Sequence, residues 1–298
     1  MRAKLIIIFL RFLSYLSLKQ QHRIAIITSY LLMAFSHIRM VQTSRVNIAH
    51  CFPHYTAKQQ AQLLRESVQE TAKTVFELSA LWLWSRERIM ALATASQQHY
   101  LDDAVKRGRG VILLTPHLGA WEMAGLYASL HYPITSLYRP PRLSDLDFFI
   151  KNARERLGAT LVPTDRQGIK ALFAALKRGE VVGILPDQVP NEAGTGVFAP
   201  FFARPAYTMT LVARLARKTG APVIFTFAER LSLSTENTAH FRVHFLPAPM
   251  GIDAEDLIEA ATALNQGIMQ CIAINTAQYQ WSYKRFKKVP DGQISPYS

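Results

Sequence analysis

From residue 110 onward the chain alternates between short unbroken apolar runs and longer stretches whose apolar residues recur at helical spacing. Residues 111–115 (VILLT) leave a Gly-rich turn and stop at Pro116. A run with no polar alternation reads as a parallel strand covered on both faces. Further strands are expected at 133–138, ending at Arg139-Pro140, at 160–163, at 180–185, stopping at Pro186, and at 222–227. Helices are expected after Glu122 and at 145–157, 166–178 and 207–218, the last three closed by Gly158, Gly179 and Gly220. Residues 189–198 read as a Gly-containing loop, 241–246 alternate like an edge strand, and 253–275 form a long helix. This pattern predicts an α/β fold, a mostly parallel sheet wrapped by helices.

The first third of the chain follows another pattern. Thr56 and Gln59 make a capping box for a helix carrying Leu64, Val68, Val75, Phe76 and Leu78, which runs into the core tryptophans Trp82 and Trp84. A shorter helical stretch from Ser85 leads to the turn at Gly108 and Gly110. Ahead of Pro53 lie two apolar segments, 5–18 and 24–36, in a region with no acidic residue before Glu66. As helices each spans about 20 Å, short of the roughly 30 Å hydrocarbon core. Arg11 interrupts the first, and no small-residue cleavage site follows it. The expectation is an uncleaved apolar/basic helical membrane anchor over residues 1–45, lying on anionic lipid headgroups, ahead of a single α/β domain over 46–298. One tilted span, or a buried helical hairpin, are the other readings.

Composition narrows the classes. With 298 residues, 49% of them hydrophobic, the chain can bury a full core. Its 34 Lys and Arg against 21 Asp and Glu give +13, which admits nucleic acid, an anionic membrane or an acidic protein partner. Cys51 and Cys271 are far apart and read as reduced thiols; no metal-ligand spacing occurs. His240 and His244 fall in a strand and read as structural.

Three strand ends carry polar groups: His117 with Glu122, Tyr138-Arg139-Pro140, and Pro186-Asp187-Gln188. In a parallel sheet such ends open onto one edge, where α/β proteins place their chemistry. Positions five apart diverge by about 140° on a helix, so His117 is placed in the turn, with the Glu122 carboxylate fixing its tautomer for general-base work. Arg139 can fork onto a phosphate or carboxylate. Asp187 can orient Arg139, accept from a substrate hydroxyl, or merely cap a turn. No Gly-x-Ser-x-Gly elbow supports an esterase, and no P-loop or Gly-x-Gly-x-x-Gly supports nucleotide binding.

His117-x4-Glu122, Tyr138-Arg139-Pro140, residues 183–188 (GILPDQ), residues 278–287 (QYQWSYKRFK) and residues 47–53 (NIAHCFP) together resemble the late acyltransferases of lipid A biosynthesis, members of the lysophospholipid acyltransferase superfamily. The likeness is collinear from about residue 46 to 288. It implies a glycerol-3-phosphate acyltransferase-like fold, and an enzyme at the cytoplasmic face of the bacterial inner membrane. The enzyme would move a fatty acyl chain from acyl carrier protein to a hydroxyl of an acylated, phosphorylated glucosamine lipid, the lipid A precursor. His117 and Glu122 are then the catalytic pair, and Tyr138, Arg139, Asp187 and Gln188 bind substrate. The thioester of acyl carrier protein is a co-substrate, with no cofactor, no metal and no nucleic acid partner. Transfer is direct, without a covalent acyl-enzyme, and amides at the start of the helix beginning at Leu118 are candidate oxyanion donors. Lys284, Arg285, Lys287 and Lys288, with Arg166, Lys170, Lys177 and Arg178, are the expected basic contact for the acidic carrier protein. The nearest rival activity is acylation of a lysophospholipid or aminolipid.

Overall fold

A computed structural model describes residues 2–35, 37–141, 143–190, 192, 194–232 and 240–298. Ser36, the end of the second apolar segment, lies outside them, as do positions 191 and 193 of the expected loop. Four helices open the chain: α1 (Arg2–Ser14), α2 (Leu18–Ala34), α3 (Arg39–Cys51) and α4 (Ala57–Leu83). Ser17 with Gln20 and Thr56 with Gln59 form reciprocal capping boxes that start α2 and α4. Leu10, Leu13, Leu18, Gln21 and Ala25 are buried, and α1 and α2 pack against α4. Gln21 Nε2 donates to the carbonyls of Leu13 and Leu16 (3.0 and 3.1 Å), and Trp84 Nε1 donates to that of Ser14 (2.8 Å), tying the end of α1 to α2 and to the body. Residue 45 falls inside α3. Trp82 and Trp84 are core residues, as their spacing implies.

The remaining elements are α5 (Arg86–Met90), β1 (Ala93–Ser96), α6 (His99–Lys106), β2 (Val111–Leu114), α7 (Trp121–His131), β3 (Ile134–Tyr138), α8 (Ser144–Glu155), β4 (Ala159–Pro163), α9 (Arg166–Lys177), β5 (Val181–Ile184), β6 (Gly196–Phe201), β7 (Arg204–Met209), α10 (Leu211–Thr219), β8 (Val223–Arg230), β9 (Phe241–Pro247) and α11 (Leu257–Ile274). The main sheet runs β1-β9-β8-β2-β5-β3-β4, and every neighbouring pair is parallel except β8–β9. The central β2 and β5 are buried at every position. Alternate residues of β2 feed two cores: Ile112 and Leu114 pack with α9, α10 and α11, while Val111 and Leu113 pack with α6 and α7. The fold is therefore α/β with a mostly parallel mixed sheet between helical layers.

Three local expectations are corrected. Residues 241–246 are not an edge strand, because β1 pairs outside β9. β1 was missed because ATAS is short, weakly apolar and half exposed. Residues 189–198 are not all loop, nor 207–218 all helix: β6 and β7 form an antiparallel hairpin turning at Phe202 and Ala203, both with positive φ, and α10 begins at Leu211. Tertiary contacts decide that segment. Asn265 Nδ2 on α11 donates to the Pro200 carbonyl (3.0 Å), and the buried Arg285 donates to the Tyr207 carbonyl (2.7 Å).

Candidate active site

β5 inserts between β2 and β3, and this crossover makes the site. Leu114 and Ile184 are register partners, and His117 and Asp187 each lie three residues beyond. Two residues 70 apart in sequence thus leave neighbouring strands side by side. His117 Nδ1 lies 2.8 Å from Asp187 Oδ1, and the His117 amide donates to Asp187 Oδ2 (2.9 Å). With Nδ1–H donated to the carboxylate, Nε2 carries the lone pair and accepts from Gln188 Nε2 at 3.2 Å. The Trp121 ring packs against the imidazole, centroids 5.2 Å apart.

Asp187 is fully buried, which alone would favour its neutral form. The neighbouring imidazole and the hydrogen bonds from His117 outweigh burial and hold the carboxyl below its usual range. Asp187 is thus bound to the His117 ring and amide, and among the described residues no hydrogen bond joins it to Arg139.

Glu122 makes no hydrogen bond or ion pair with His117. It lies in the first turn of α7, and both its oxygens accept from Arg154 of α8, whose Nε donates at 3.1 Å. Burial works against the Arg154 charge, but the Glu122 carboxylate raises its pKa and keeps it a cation. Arg154 also lies over the rings of Tyr138 and Trp121, 5.2 and 5.8 Å from their centroids. Tyr138 Oη donates to Asp147 (2.8 Å), so its hydroxyl is engaged within the protein, and burial with that acceptor pushes its pKa up. Arg139 is exposed and makes no ion pair among the described residues. Arg154 carried no sequence signal, being one of two cations, with Lys151, on an amphipathic helix.

The expected oxyanion donors are also corrected. The helix begins at Trp121, not Leu118, and the amides before it are spent: Leu118 on Pro116 O (2.7 Å), Gly119 on Gln278 O (3.0 Å) and Ala120 on Ala228 O (2.8 Å). Among the described residues the amides of Trp121 and Glu122 have no partner, leaving them as the available donors of the first turn.

His117, Glu122, Arg139, Arg154 and Gln188 all line one cavity of about 1620 Å³ over the ends of β2, β3 and β5. On the α7–α8 side its walls are apolar, formed by Trp82, Leu126, Ile134, Ile150 and Leu161. On the other side Ile169, Phe173 and Leu211 lead to the exposed cations Arg214, Arg217 and Lys218. The expected basic cluster near the C-terminus is divided by the fold. Arg285 is buried against β7, the Lys288 ammonium donates to Pro190 O (3.1 Å), and Lys284 lies over the Tyr297 ring. Among the described residues no group of His, Cys, Asp and Glu could hold a metal ion.

Residues 3–288 match the family model described as bacterial lipid A biosynthesis acyltransferase. The lipid A biosynthesis palmitoleoyltransferase of Escherichia coli is 26% identical over 260 residues, covering 87% of this chain and 82% of the relative. The lipid A biosynthesis lauroyltransferase of the same organism is 26% identical over 252 residues, 84% of this chain and 80% of that protein. A phosphatidylinositol mannoside acyltransferase of Mycobacterium tuberculosis is 30% identical over 131 residues, only 43% of this chain and 41% of its own. Matched by that family model over nearly its whole length, the chain belongs to the bacterial lipid A biosynthesis acyltransferases.

Proposed function

We propose that this acyltransferase moves a fatty acyl chain from the thioester of acyl carrier protein to a hydroxyl of the acylated, phosphorylated glucosamine precursor of lipid A. The observation that carries the reading is the buried His117–Asp187 pair with Nε2 turned toward the cavity. His117 takes the proton of the acceptor hydroxyl through Nε2 as oxygen attacks the thioester carbonyl, and Asp187 stabilises the imidazolium. The tetrahedral intermediate collapses by breaking the C–S bond, and the proton passes from His117 to the departing thiolate, whose pKa of about 8.5 demands little acid assistance. No residue becomes acylated. The free amides of Trp121 and Glu122 and the Gln188 side chain are the candidate donors to the oxyanion. Glu122 acts at one remove, fixing Arg154 as a cation on the cavity wall. Arg139, exposed on the cavity lining, is the group we assign to a phosphate of the acceptor.

The apolar α7–α8 wall suits the transferred chain. Helices α1 and α2 support membrane attachment: Leu5, Ile8, Phe9, Phe12, Ile27 and Leu31 are exposed, as are Lys4, Arg11 and Arg23, and Phe148 of α8 adds to them. We assign this face to the cytoplasmic leaflet of the inner membrane. By length and composition α11 is apolar enough to span, but half of it is buried in the core. The test incubates purified protein with acyl carrier protein thioesters and a tetra-acylated precursor, with products read by mass spectrometry. One added acyl chain, lost in His117→Ala, is expected. Acylation only of a lysophospholipid or an aminolipid, or activity retained by folded His117→Ala, overturns the reading.

A further inference from the structure

Behind the loop that carries His117 lies a buried ion cluster that the chemistry above does not use. Arg230, the last residue of β8, is 3% exposed in its side chain, and Glu77 of α4 is 1% exposed. Arg230 Nε and Nη2 donate to the two oxygens of Glu77 (2.9 and 2.6 Å), Nη1 donates to Glu70 (3.2 Å), and Nη2 also reaches Thr74 Oγ1 (2.6 Å). His22 of α2 closes the cluster from outside, its Nε2 3.0 Å from Glu77 Oε2. Burial opposes ionisation of Glu77, but Arg230, with support from His22, pulls its pKa down to about 2.

An arginine forked onto two glutamates is an ordinary buried ion pair, and burying one seldom adds stability over apolar packing. This one has a further contact. Arg230 Nη2 donates to the carbonyl of Gly119 (3.0 Å), two residues past His117. The Gly119 amide is held in turn by Gln278 O, and Gln278's side chain pairs with both backbone groups of Arg230 (2.9 Å each). Gly119 has φ +61, and a Cβ there would lie 2.1 Å from Ala228 O, so the loop has no slack on that side. Two carbonyls upstream, His117 O accepts from the Gln280 amide (3.0 Å). The His117–Gly119 segment is thus gripped by β8, by the C-terminal segment and, through Arg230, by α4.

We propose that Arg230 is a positioning residue for the acyl transfer. Its guanidinium transmits the placement of α4 to the Gly119 carbonyl and so fixes the histidine against Asp187 and the cavity. The inference rests on the reading of His117 as the base. It assigns the fork a task that a plain cation cannot perform. Lysine at 230 keeps a charge against Glu77 and Glu70, but one ammonium cannot span those carboxylates, Thr74 and Gly119 O together.

The test compares Arg230→Lys and Arg230→Met in the full-length protein in neutral detergent, with Glu77→Gln as a milder variant should either misfold. Stability is expected to follow charge, so Arg230→Lys recovers most of the melting temperature lost in Arg230→Met. Turnover is expected to follow the fork: kcat in Arg230→Lys stays down by roughly 10²-fold, the scale of an ångström-sized misplacement, while KM changes little. Glu77→Gln should show the same split to a smaller degree. In 15N-histidine-labelled protein the Nδ1–H signal of the His117–Asp187 pair, assigned by its loss in His117→Asn, should weaken or move in these variants. If Arg230→Lys restores kcat along with stability, or the Nδ1–H signal is unmoved in folded variants, Arg230 only holds the fold and the proposal fails. Retained activity in His117→Ala would instead refute the base assignment, and the Nδ1–H measurement reports loop geometry independently of it.

Discussion

Replacing Asp187 by Asn tests the site most directly, because it removes one charge and almost no volume. The carboxylate accepts twice from His117, once from the ring Nδ1–H and once from the backbone amide. Asparagine offers one oxygen and one NH2. With its oxygen toward the ring, its NH2 meets the backbone N–H, leaving a buried donor unsatisfied at a cost of about 1–3 kcal/mol. With its oxygen toward the backbone, the NH2 faces Nδ1, the ring must carry its proton on Nε2, and it can no longer take one from a hydroxyl. In the Ser-His-Asp template that tautomer change lowers kcat about 10⁴-fold, and loss of a general base generally lowers it about 10²–10⁴-fold. The expected fall in kcat is therefore about 10²–10⁴-fold, or roughly 3–5 kcal/mol at 1.36 kcal/mol per decade. It is measured with a carrier-protein thioester and lipid A precursor on protein whose thermal unfolding is checked in parallel. pH gives a second readout. Asp187 titrates below its unfolded value, so its contribution to stability is present above the unfolded pKa and disappears as pH falls through the folded one. Asp187→Asn should flatten that acid limb. Glu122→Gln leaves the pair intact and should cost less in kcat. Wild-type turnover in folded Asp187→Asn, or a larger loss in Glu122→Gln, would refute the assignment of the tautomer-fixing carboxylate to Asp187.

Gly125 lines the cavity, and a Cβ there would meet nothing within 4 Å. Gly125→Leu should therefore fold and shift the preferred donor toward shorter acyl chains, each excluded methylene forfeiting about 0.8 kcal/mol of burial; unchanged chain-length selectivity would place the chain elsewhere. Gly119→Ala drives a methyl into Ala228 O and should yield unstable protein, measured as a lowered melting temperature. Arg139→Lys should raise KM for a phosphorylated acceptor more than for its dephosphorylated counterpart, since the planar fork is lost while the charge stays; equal effects would remove the phosphate contact. Exposed Arg166, Lys170, Arg214 and Lys218 are expected to steer the acidic carrier protein, so salt should raise its KM in neutral detergent, less so after their replacement by Ala. Coenzyme A thioesters responding alike would exclude that steering.

The sequence by itself determined the local grammar of the domain. Apolar runs located β2, β5 and β8, because strands covered on both faces show no polar alternation, while the flanking turn residues Pro133, Pro140 and Gly158 marked out the partly exposed β3 and β4. Thr56 with Gln59 marked the start of α4, and Gly220 the end of α10, because free amides and left-handed backbone restrict which residues fit. The motifs that signal the family, and the gathering of His117, Arg139 and Asp187 at one sheet edge, were legible for the same reason: parallel strand ends share an edge. Partnership was not legible. Strand order is a long-range property, and only the insertion of β5 beside β2 brought Asp187 to Nδ1, while α8 took Glu122 away through Arg154. Five residues separate His117 from Glu122 along the chain and seventy separate it from Asp187. The nearer carboxylate turns away on the first turn of a helix, and the farther one leaves the adjacent strand at the same height. The β6–β7 hairpin, the buried Arg285 and the Arg230 cluster were hidden alike, since each depends on partners from distant elements that no local pattern encodes.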